Sequence, residues 1–317
     1  MNNKTIQKLV AVTGASGFIG KYLCRTLEAS GHSVRPVFRG EDNYPSAVHV
    51  GELGKHTEWR PALEGVDCVI HTAGMAHISR RASRQPVSDF LEVNFGGTCR
   101  LADHAAICGV RRLIFISSIG VLGDSTTGKS PFNEDSIPNP IGPYAVSKWK
   151  AECALLEVAT RTKMEVVIVR PPLVYGRNAP GNFRRLVDLI RRGLPLPFGL
   201  IENQRSLIAI ENLVDFLVCC MEHPAAAGRT FLVSDCHDLS TPELICRLAD
   251  AMGKAPRLLP VPPELIRIGG RLIGRSNEIE SLIGSLQVDM SGTSETLNWR
   301  PPRMIEETLR RAAGSDF

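Results

Sequence analysis

Short apolar runs alternate with amphipathic segments over the first 170 positions of the chain. The apolar runs have the length and the Val/Ile/Leu content of buried strands, and the segments between several of them repeat apolar residues at helical spacing. The predicted strands are Leu9–Thr13, Ser33–Phe38, Val66–His71, Arg112–Ser117 and Glu165–Arg170. The predicted helices are Phe18–Ser30, Val87–Cys108 and Pro143–Thr162. This alternation predicts an α/β protein with a doubly wound parallel sheet, a Rossmann fold with helices on both faces.

The alternation ends at Arg170, where proline-containing turns begin. Later segments predict further elements: helix Ile210–Met221, strand Arg229–Ser234, and helices Thr241–Met252, Pro263–Ile273 and Met304–Ala313. We therefore expect residues 1–170 to form a dinucleotide-binding domain, to which the chain returns at about 203–235. Residues 171–202 and 236–317 are expected to form a smaller C-terminal lobe that binds substrate.

The composition is that of an ordinary globular protein, with 43% hydrophobic and 22% charged residues. The net charge of +4 is not gathered into a dense basic stripe, so no nucleic-acid partner is expected. The nine cysteines lack the spacing of a disulfide framework or a zinc site, so no metal is expected. No apolar run reaches membrane-spanning length and no signal segment is recognisable, which favours a cytoplasmic protein without a membrane partner.

A glycine-rich turn joins the first predicted strand to the first predicted helix. Gly14 allows a tight turn, Gly17 lets the backbone approach a diphosphate, and Gly20 lets the helix pack close to the strand. The free N–H groups and the dipole at the helix N terminus attract an anion. The turn therefore predicts a site for the diphosphate of NAD or NADP.

The end of the second predicted strand bears on the choice between these cofactors. An Asp or Glu there would bind the ribose hydroxyls of NAD, but this strand is followed by Arg39. A guanidinium can pair with the 2′-phosphate of NADP, and Arg35 is a candidate to assist it. NADP is therefore favoured, while the nearby Glu41 and Asp42 keep NAD open.

Tyr144 and Lys148 lie four residues apart at the start of a predicted helix, so both project from one face. An unperturbed phenol has a pKa near about 10, and a neighbouring ammonium is expected to lower it, which would make Tyr144 a usable acid or base. Lys148 could also hold the nicotinamide ribose. Ser117 and Ser118 end a strand at the carboxyl edge of the sheet, where a hydroxyl can bind a reacting oxygen.

These residues resemble those of the extended short-chain dehydrogenase/reductases, in particular the nucleotide-sugar epimerase/dehydratase branch. The resemblance covers nearly the whole chain and is carried by Val12–Gly20, His71–Gly74, Val93–Thr98, Ser117-Ser118, Tyr144 with Lys148, Arg170–Gly176 and Leu297–Pro301. It implies that Ser118, Tyr144 and Lys148 are catalytic and that Ser118 and Tyr144 contact the substrate. Ser118 is preferred over Ser117 by its distance from Val121-Leu122-Gly123.

The resemblance also implies cofactor contacts and an assembly. The expected cofactor-binding residues are Gly14, Ser16, Gly17, Phe18, Ile19, Gly20, Arg39, Glu52, Leu53, Ala73, Gly74, Tyr144, Lys148 and Pro171. Asn94 would stabilise the sheet edge behind the site, whereas His71 and His77 are interpreted as packing or loop residues. A homodimer through the helices Val87–Cys108 and Pro143–Thr162 is implied by the resemblance alone.

The expected substrate is a UDP-linked nucleotide sugar. Asn182 and Arg205 match positions that hold the nucleotide diphosphate in similar proteins, and an arginine fork suits a diphosphate. Arg271 is a candidate for a second phosphate contact, with Arg275 as the alternative.

The reaction type is open between several activities. The 4,6-dehydratases of this family carry an acidic pair directly after the active-site hydroxyl, but Ile119 and Gly120 stand there, so dehydration is discounted. Residues 181–186 and 203–208 resemble bacterial O-antigen pathway enzymes that reduce the C4 ketone of a UDP-4-keto-6-deoxy-N-acetylhexosamine, as in UDP-N-acetylquinovosamine synthesis. We expect such an NAD(P)H-dependent 4-reductase, in which Tyr144 protonates O4. The alternatives are a UDP-hexose 4-epimerase with tightly bound NAD and a non-catalytic NADP-sensing or scaffold protein.

Overall fold

A parallel sheet is the central element of the structure, a computed structural model that describes residues 7–40, 44, 46–76 and 87–314. The strands are β1 (Leu9–Thr13), β2 (Ser33–Phe38), β3 (Val48–His49), β4 (Cys68–His71), β5 (Arg112–Ile116), β6 (Glu165–Arg170), β7 (Leu173–Tyr175), β8 (Leu207–Ala209) and β9 (Thr230–Leu232). Seven of them form one sheet in the order β3-β2-β1-β4-β5-β6-β9, with all neighbours parallel. The predicted α/β class and the parallel Rossmann-type sheet are confirmed. Strands β7 and β8 form a separate parallel pair.

Helices connect the strands and extend the chain beyond the sheet. They are α1 (Phe18–Ala29), α2 (Arg60–Leu63), α3 (Val87–Phe90), α4 (Gly97–Ile107), α5 (Gly142–Arg161), α6 (Asn182–Arg191), α7 (Ile210–Glu222), α8 (Thr241–Ala251), α9 (Pro263–Leu272), α10 (Ser276–Ile283), α11 (Ser291–Leu297) and α12 (Ile305–Ala313). A π-helical turn, Leu91–Gly96, joins α3 to α4. Among these helices none has the length and apolar content needed to cross a membrane.

Both faces of the sheet are covered by apolar side chains. Successive residues of a strand point to opposite faces, so Val10 and Val12 pack with α1 and α7 while Ala11 packs with α2, α4 and α5. A further buried cluster lies among β7, β8 and the helices α6, α8, α10 and α12. This cluster gives the residues beyond the sheet a core of their own.

Most of the predicted elements are present, with ends that differ by one or two residues. The strand predicted at Arg229–Ser234 is β9, which pairs with β6, so the chain does return to the main sheet. The sequence pattern missed β3, β7, β8 and α2 because they contain only two to four residues. It also missed α6, since the turn at Pro180-Gly181 just before it was interpreted as the end of regular structure.

The carboxyl ends of the seven parallel strands meet at one edge of the sheet. Gly14 follows β1, Ser117 follows β5 and Pro171 follows β6 at this edge. In open α/β sheets this is the edge at which ligands bind. The topology therefore brings distant parts of the sequence into one region.

The contact between α1 and β1 gives a prediction about stability. A Cβ atom on Gly20 would lie 2.2 Å from the carbonyl oxygen of Gly14 and 2.8 Å from Cα of Ala15, and neither backbone atom can rotate away. We expect Gly20→Ala to lower the free energy of unfolding by about 1–3 kcal/mol, measured by urea denaturation. Gly40→Ala is the control, because a Cβ there meets nothing within 4 Å. Equal stability of the two variants would contradict this close contact.

Candidate active site

The turn after β1 leaves space for a ligand close to the backbone. Gly14 has a φ of +69°, and a Cβ on it would lie 2.8 Å from the backbone of Ala73. The N–H of Gly17 donates to the carbonyl of Gly14 at 2.8 Å, and no side chain caps the N terminus of α1. Phe18 and Ile19 are partly exposed there, beside the exposed Ser16. Such a turn fits the diphosphate of a dinucleotide, which uncapped N–H groups and the helix dipole would stabilise.

Residues after β4 and β6 continue from this turn toward the centre of the edge. Ala73 is buried, and a Cβ on Gly74 would lie 3.5 Å from Nζ of Lys148 and 3.0 Å from Oδ1 of Asn94. Pro171 is buried directly after β6. Of these residues Gly74 lies beside Lys148, which fits a cofactor extending from the glycine turn to that amine.

Arg39 is exposed at the end of β2 and makes no hydrogen bond or ion pair within residues 7–40, 44, 46–76 and 87–314. Arg35 cannot readily assist it, because its Nη1 donates to the backbone carbonyl of Glu64 at 2.6 Å. Glu41 and Asp42 lie outside the described residues. An exposed guanidinium directly after β2 has room for a phosphate on the adenosine ribose.

Glu52 and Leu53 lie in the segment after β3, at the same edge of the sheet. The side chain of Glu52 is exposed, and its backbone carbonyl accepts a hydrogen bond from the hydroxyl of Thr57 at 2.9 Å. Leu53 packs on the apolar cluster beneath this edge. The hydrogen bond fixes the local turn, and the role of both residues at the adenine end of a cofactor stays a prediction.

Ser118 and Tyr144 are far apart in sequence but hydrogen-bonded in the structure. Tyr144 lies in the first turn of α5, and Oγ of Ser118 also accepts from the N–H of Gly120 at 3.1 Å, which starts the short 3₁₀ turn Ile119–Val121. Burial raises the pKa of Tyr144 to about 12, and the hydrogen bond from Ser118 opposes that rise. A phenol and a hydroxyl are thus paired at the strand edge, where they could bind one substrate oxygen.

Lys148 is buried one turn after Tyr144. Its Nζ donates to the carbonyl of Ile116 at 2.7 Å and lies 4.4 Å from the ring centre of Phe115. Burial lowers the pKa of Lys148 to about 8, and the carboxylate of Glu152 acts in the opposite direction. The pKa of Tyr144 is raised rather than lowered as expected from the spacing, because burial of the phenol raises it and the opposing effect comes from the hydrogen bond of Ser118 rather than from Lys148.

Glu152 is a site residue that the sequence analysis did not identify. It is fully buried one turn after Lys148, and its carboxylate accepts hydrogen bonds from Arg170, the shortest at 2.6 Å from Nη2, and from the hydroxyl of Ser117. Ser117 therefore points into the protein, while Ser118 faces Tyr144. The spacing of four from Lys148 was the signal that could have indicated a second charge on the same helix face.

Asn94 connects the segment after β4 with α5. It lies in the π-helical turn and is buried, and its side chain binds the backbone of Met75 in both directions, accepting from N–H at 2.7 Å and donating to the carbonyl at 3.0 Å. Its Nδ2 also donates to Oγ of Ser147 at 2.9 Å, and that hydroxyl donates to the carbonyl of Tyr144 at 2.7 Å. Turns of π-helix often occur at functional sites, and this one directs an amide toward the first turn of α5.

His71 has a packing role. Its ring nitrogens lie 2.6 Å from the hydroxyl of Thr13 and 3.0 Å from that of Thr98, and burial lowers its pKa to about 3. The ring is therefore neutral and held on both sides, which agrees with its interpretation as a packing residue. His77 lies outside the described residues. Within the described ranges, no three His, Cys, Asp or Glu side chains are grouped so that they could hold a metal ion.

Asn182 and Arg205 line one mainly apolar cavity beyond the sheet edge. Its remaining lining residues are Leu173, Phe183, Leu186, Leu207, Leu239, Ser240, Thr241, Leu244, Ser281 and Leu282. Nη1 of Arg205 donates to the carbonyl of Gly284 at 2.9 Å, and burial lowers the pKa of Arg205 to about 10. Arg271 is exposed on α9 and does not line this cavity, and Arg275 lies 3.9 Å from the carboxylate of Glu278.

Comparison with known proteins identifies relatives over nearly the whole chain. A model of the NAD dependent epimerase/dehydratase family matches residues 10–234. A UDP-glucose 4-epimerase of Vibrio cholerae is 40% identical over 315 residues, which cover 98% of this chain and 96% of the relative. An N-acetyl-alpha-D-glucosaminyl-diphospho-ditrans,octacis-undecaprenol 4-epimerase of Escherichia coli O157:H7 is 27% identical over 264 residues, 82% of this chain and 77% of the relative.

A solved structure has the same fold. MoeE5 in complex with UDP-glucose and NAD has a TM-score of 0.78 and 24% sequence identity, and the match covers 96% of this chain and 97% of MoeE5. The likeness shows that the two proteins share one fold. With the family match over most of its length and a relative at 40% identity, the chain belongs to the NAD dependent epimerase/dehydratase family.

Proposed function

We propose that this protein interconverts the C4 epimers of a UDP-linked hexose and keeps its nicotinamide cofactor bound. The hydrogen-bonded Ser118 and Tyr144 beside Lys148 carry the proposal, since such a set can exchange a proton with a sugar hydroxyl next to a hydride carrier. The relative that is 40% identical is named a UDP-glucose 4-epimerase, and the E. coli relative is also named a 4-epimerase. These relatives favour epimerisation over the 4-reduction expected from the sequence motifs.

Each side chain has a distinct part in this reaction. A bound nicotinamide would accept the hydride of C4 and return it. Tyr144 would take the proton of O4 during oxidation and give it back during reduction, while Ser118 holds that oxygen in place. Lys148 would hold the cofactor ribose, and Asn182 with Arg205 would hold the diphosphate. Because Asn182 and Arg205 would hold the diphosphate rather than the sugar, the sugar would be free to present either face to the site.

The direct test is conversion of UDP-glucose to UDP-galactose by the purified protein without added cofactor. We expect NAD to be released when the protein is denatured, and we expect turnover in the native state. Tyr144→Phe should keep the nucleotide but lose about 10²–10⁴-fold in kcat, because the proton carrier is gone. Tyr44→Phe is the matched control and should retain full activity. A nucleotide-free protein that consumes NADPH with a UDP-4-keto sugar, and epimerises nothing, would refute the epimerase.

Glu152 gives a prediction about pH dependence. Its carboxylate raises the pKa of Lys148 against the lowering by burial, so Glu152→Gln should let Lys148 lose its proton at lower pH. If the charged amine is needed, the alkaline fall of kcat should move to lower pH than in the wild type. Glu157→Gln, an exposed position on the same helix, should leave the pH profile unchanged. The pH profile of kcat is measured only for variants that unfold in one cooperative transition, as the wild type does. An unshifted pH profile for Glu152→Gln would contradict the electrostatic effect of Glu152 on the pKa of Lys148.

A C4 reductase that uses NADPH is the second candidate, and exposed Arg39 at the end of β2 favours it. If Arg39 binds the 2′-phosphate, Arg39→Ala should raise the KM for NADPH about 10–100-fold, as expected for the loss of a charged hydrogen bond, and leave that for NADH unchanged. Arg25→Ala, at an exposed position of α1, is the control. An equal KM for NADPH before and after Arg39→Ala would exclude this role.

A further inference from the structure

Helix α9 exposes most of its apolar side chains to solvent. Of its residues, Ile266 and Gly270 are buried, and Gly270 packs closely on Ile279 of α10. The exposed apolar side chains on α9 and directly after it are Leu265 (57%), Ile268 (51%), Leu272 (82%) and Ile273 (65%). The first three are spaced i, i+3, i+7 and form one row along the helix, and all four are called the apolar row below. A surface helix normally turns such a row toward the core, so this row has no partner within the described part of the chain.

Arginines lie beside the apolar row. Arg267 and Arg271 are one turn apart on the neighbouring side of α9, and Arg275 follows in the link to α10. Arg267 bonds to Glu280 at 3.0 Å and Arg275 lies 3.9 Å from Glu278. Arg271 is exposed and makes no hydrogen bond or ion pair with the described residues. Helix α9 itself carries two arginines against one exposed carboxylate, Glu264, and an aliphatic row beside an excess of basic side chains is typical of helices that lie in the plane of a membrane interface.

We propose that α9 binds the surface of an anionic membrane, with the apolar row at the boundary of head groups and acyl chains. Arg271 would then meet lipid phosphates, whose charge is complementary to its own, while Arg267 and Arg275 keep their carboxylate partners. A second copy of the chain suits the surface less well, because it would bring the unpaired Arg271 of each copy to the same contact. Four aliphatic side chains also cover only roughly 250–500 Å², whereas a stable dimer buries about 800 Å² on each partner.

The membrane contact would lie close to the candidate substrate cavity. Helix α10, on which α9 packs, contributes Ser281 and Leu282 to the cavity that also contains Asn182 and Arg205. Binding through α9 would therefore hold the sugar-diphosphate site near the lipid surface. Such a contact needs no spanning segment, and it differs from the expectation from the sequence that the protein has no membrane partner. It is independent of which C4 reaction the site performs.

The test is sedimentation of the full chain with vesicles of phosphatidylcholine and phosphatidylglycerol in equal amounts at low salt. We expect the wild type to sediment with these vesicles and much less with phosphatidylcholine alone. Leu272→Glu should lower the partition coefficient about tenfold, because it removes an apolar contact and adds a charge repelled by the lipid. Met304→Glu is the matched control, since Met304 is similarly exposed but lies at the start of α12. Circular dichroism of the wild type and of both variants is used to check that the three proteins have the same fold.

Two results would overturn the proposal. One is wild-type protein that stays in solution with the mixed vesicles, or that binds them no better than Leu272→Glu. The other is a dimer in sedimentation equilibrium that Leu272→Glu dissociates, without vesicle binding, which would assign the apolar row to a contact between two copies. Vesicle binding is measured without catalytic turnover, so its result is independent of whether the proposed C4 reaction is correct.

Discussion

The geometry of the candidate site depends on the buried ion pair between Glu152 and Arg170. Removing either partner from such a pair leaves an uncompensated charge in the interior and costs about 3–5 kcal/mol. Because Arg170 ends β6 and Glu152 lies in α5, the pair holds the helix against the sheet, and Ser117 at the end of β5 binds the same carboxylate. Lys148 and Tyr144 occupy the two preceding turns of α5. Their positions at the edge of the sheet follow from this contact.

The regular part of the fold could be predicted because its signals are local. Strands β1, β2 and β6 have the predicted bounds, since a buried parallel strand is an apolar run that ends at a turn. The turn from Gly14 to Gly20 and the spacing of Tyr144 and Lys148 are equally local, and the structure brings both to one edge. The choice of Ser118 over Ser117 rested on the family resemblance of the nearby Val121-Leu122-Gly123, and it stays a prediction.

Other features depend on contacts between distant segments, which periodicity does not reveal. The helix pattern at α9 was predicted, but the side that faces the protein depends on Gly270 and its neighbour Ile279 in the next helix. The pKa of Tyr144 depends on how deeply the phenol is buried, so the spacing to Lys148 predicted the wrong direction. Cofactor preference was inferred from Arg39, with Arg35 as a candidate to assist it, and the comparisons support a nicotinamide cofactor without a preference for NADP.

The parallel arrangement of the seven strands has a consequence for how enzymes of this architecture diverge. The layers of apolar side chains that stabilise the protein pack on the two faces of the sheet, whereas Arg39 and Gly120 lie in the connections that follow the carboxyl ends of the strands. A side chain can be exchanged at such a connection without repacking the layers. Two descendants of one ancestor can therefore keep almost all their interior residues and still catalyse different reactions. For such proteins, overall sequence identity measures common ancestry better than it measures chemistry.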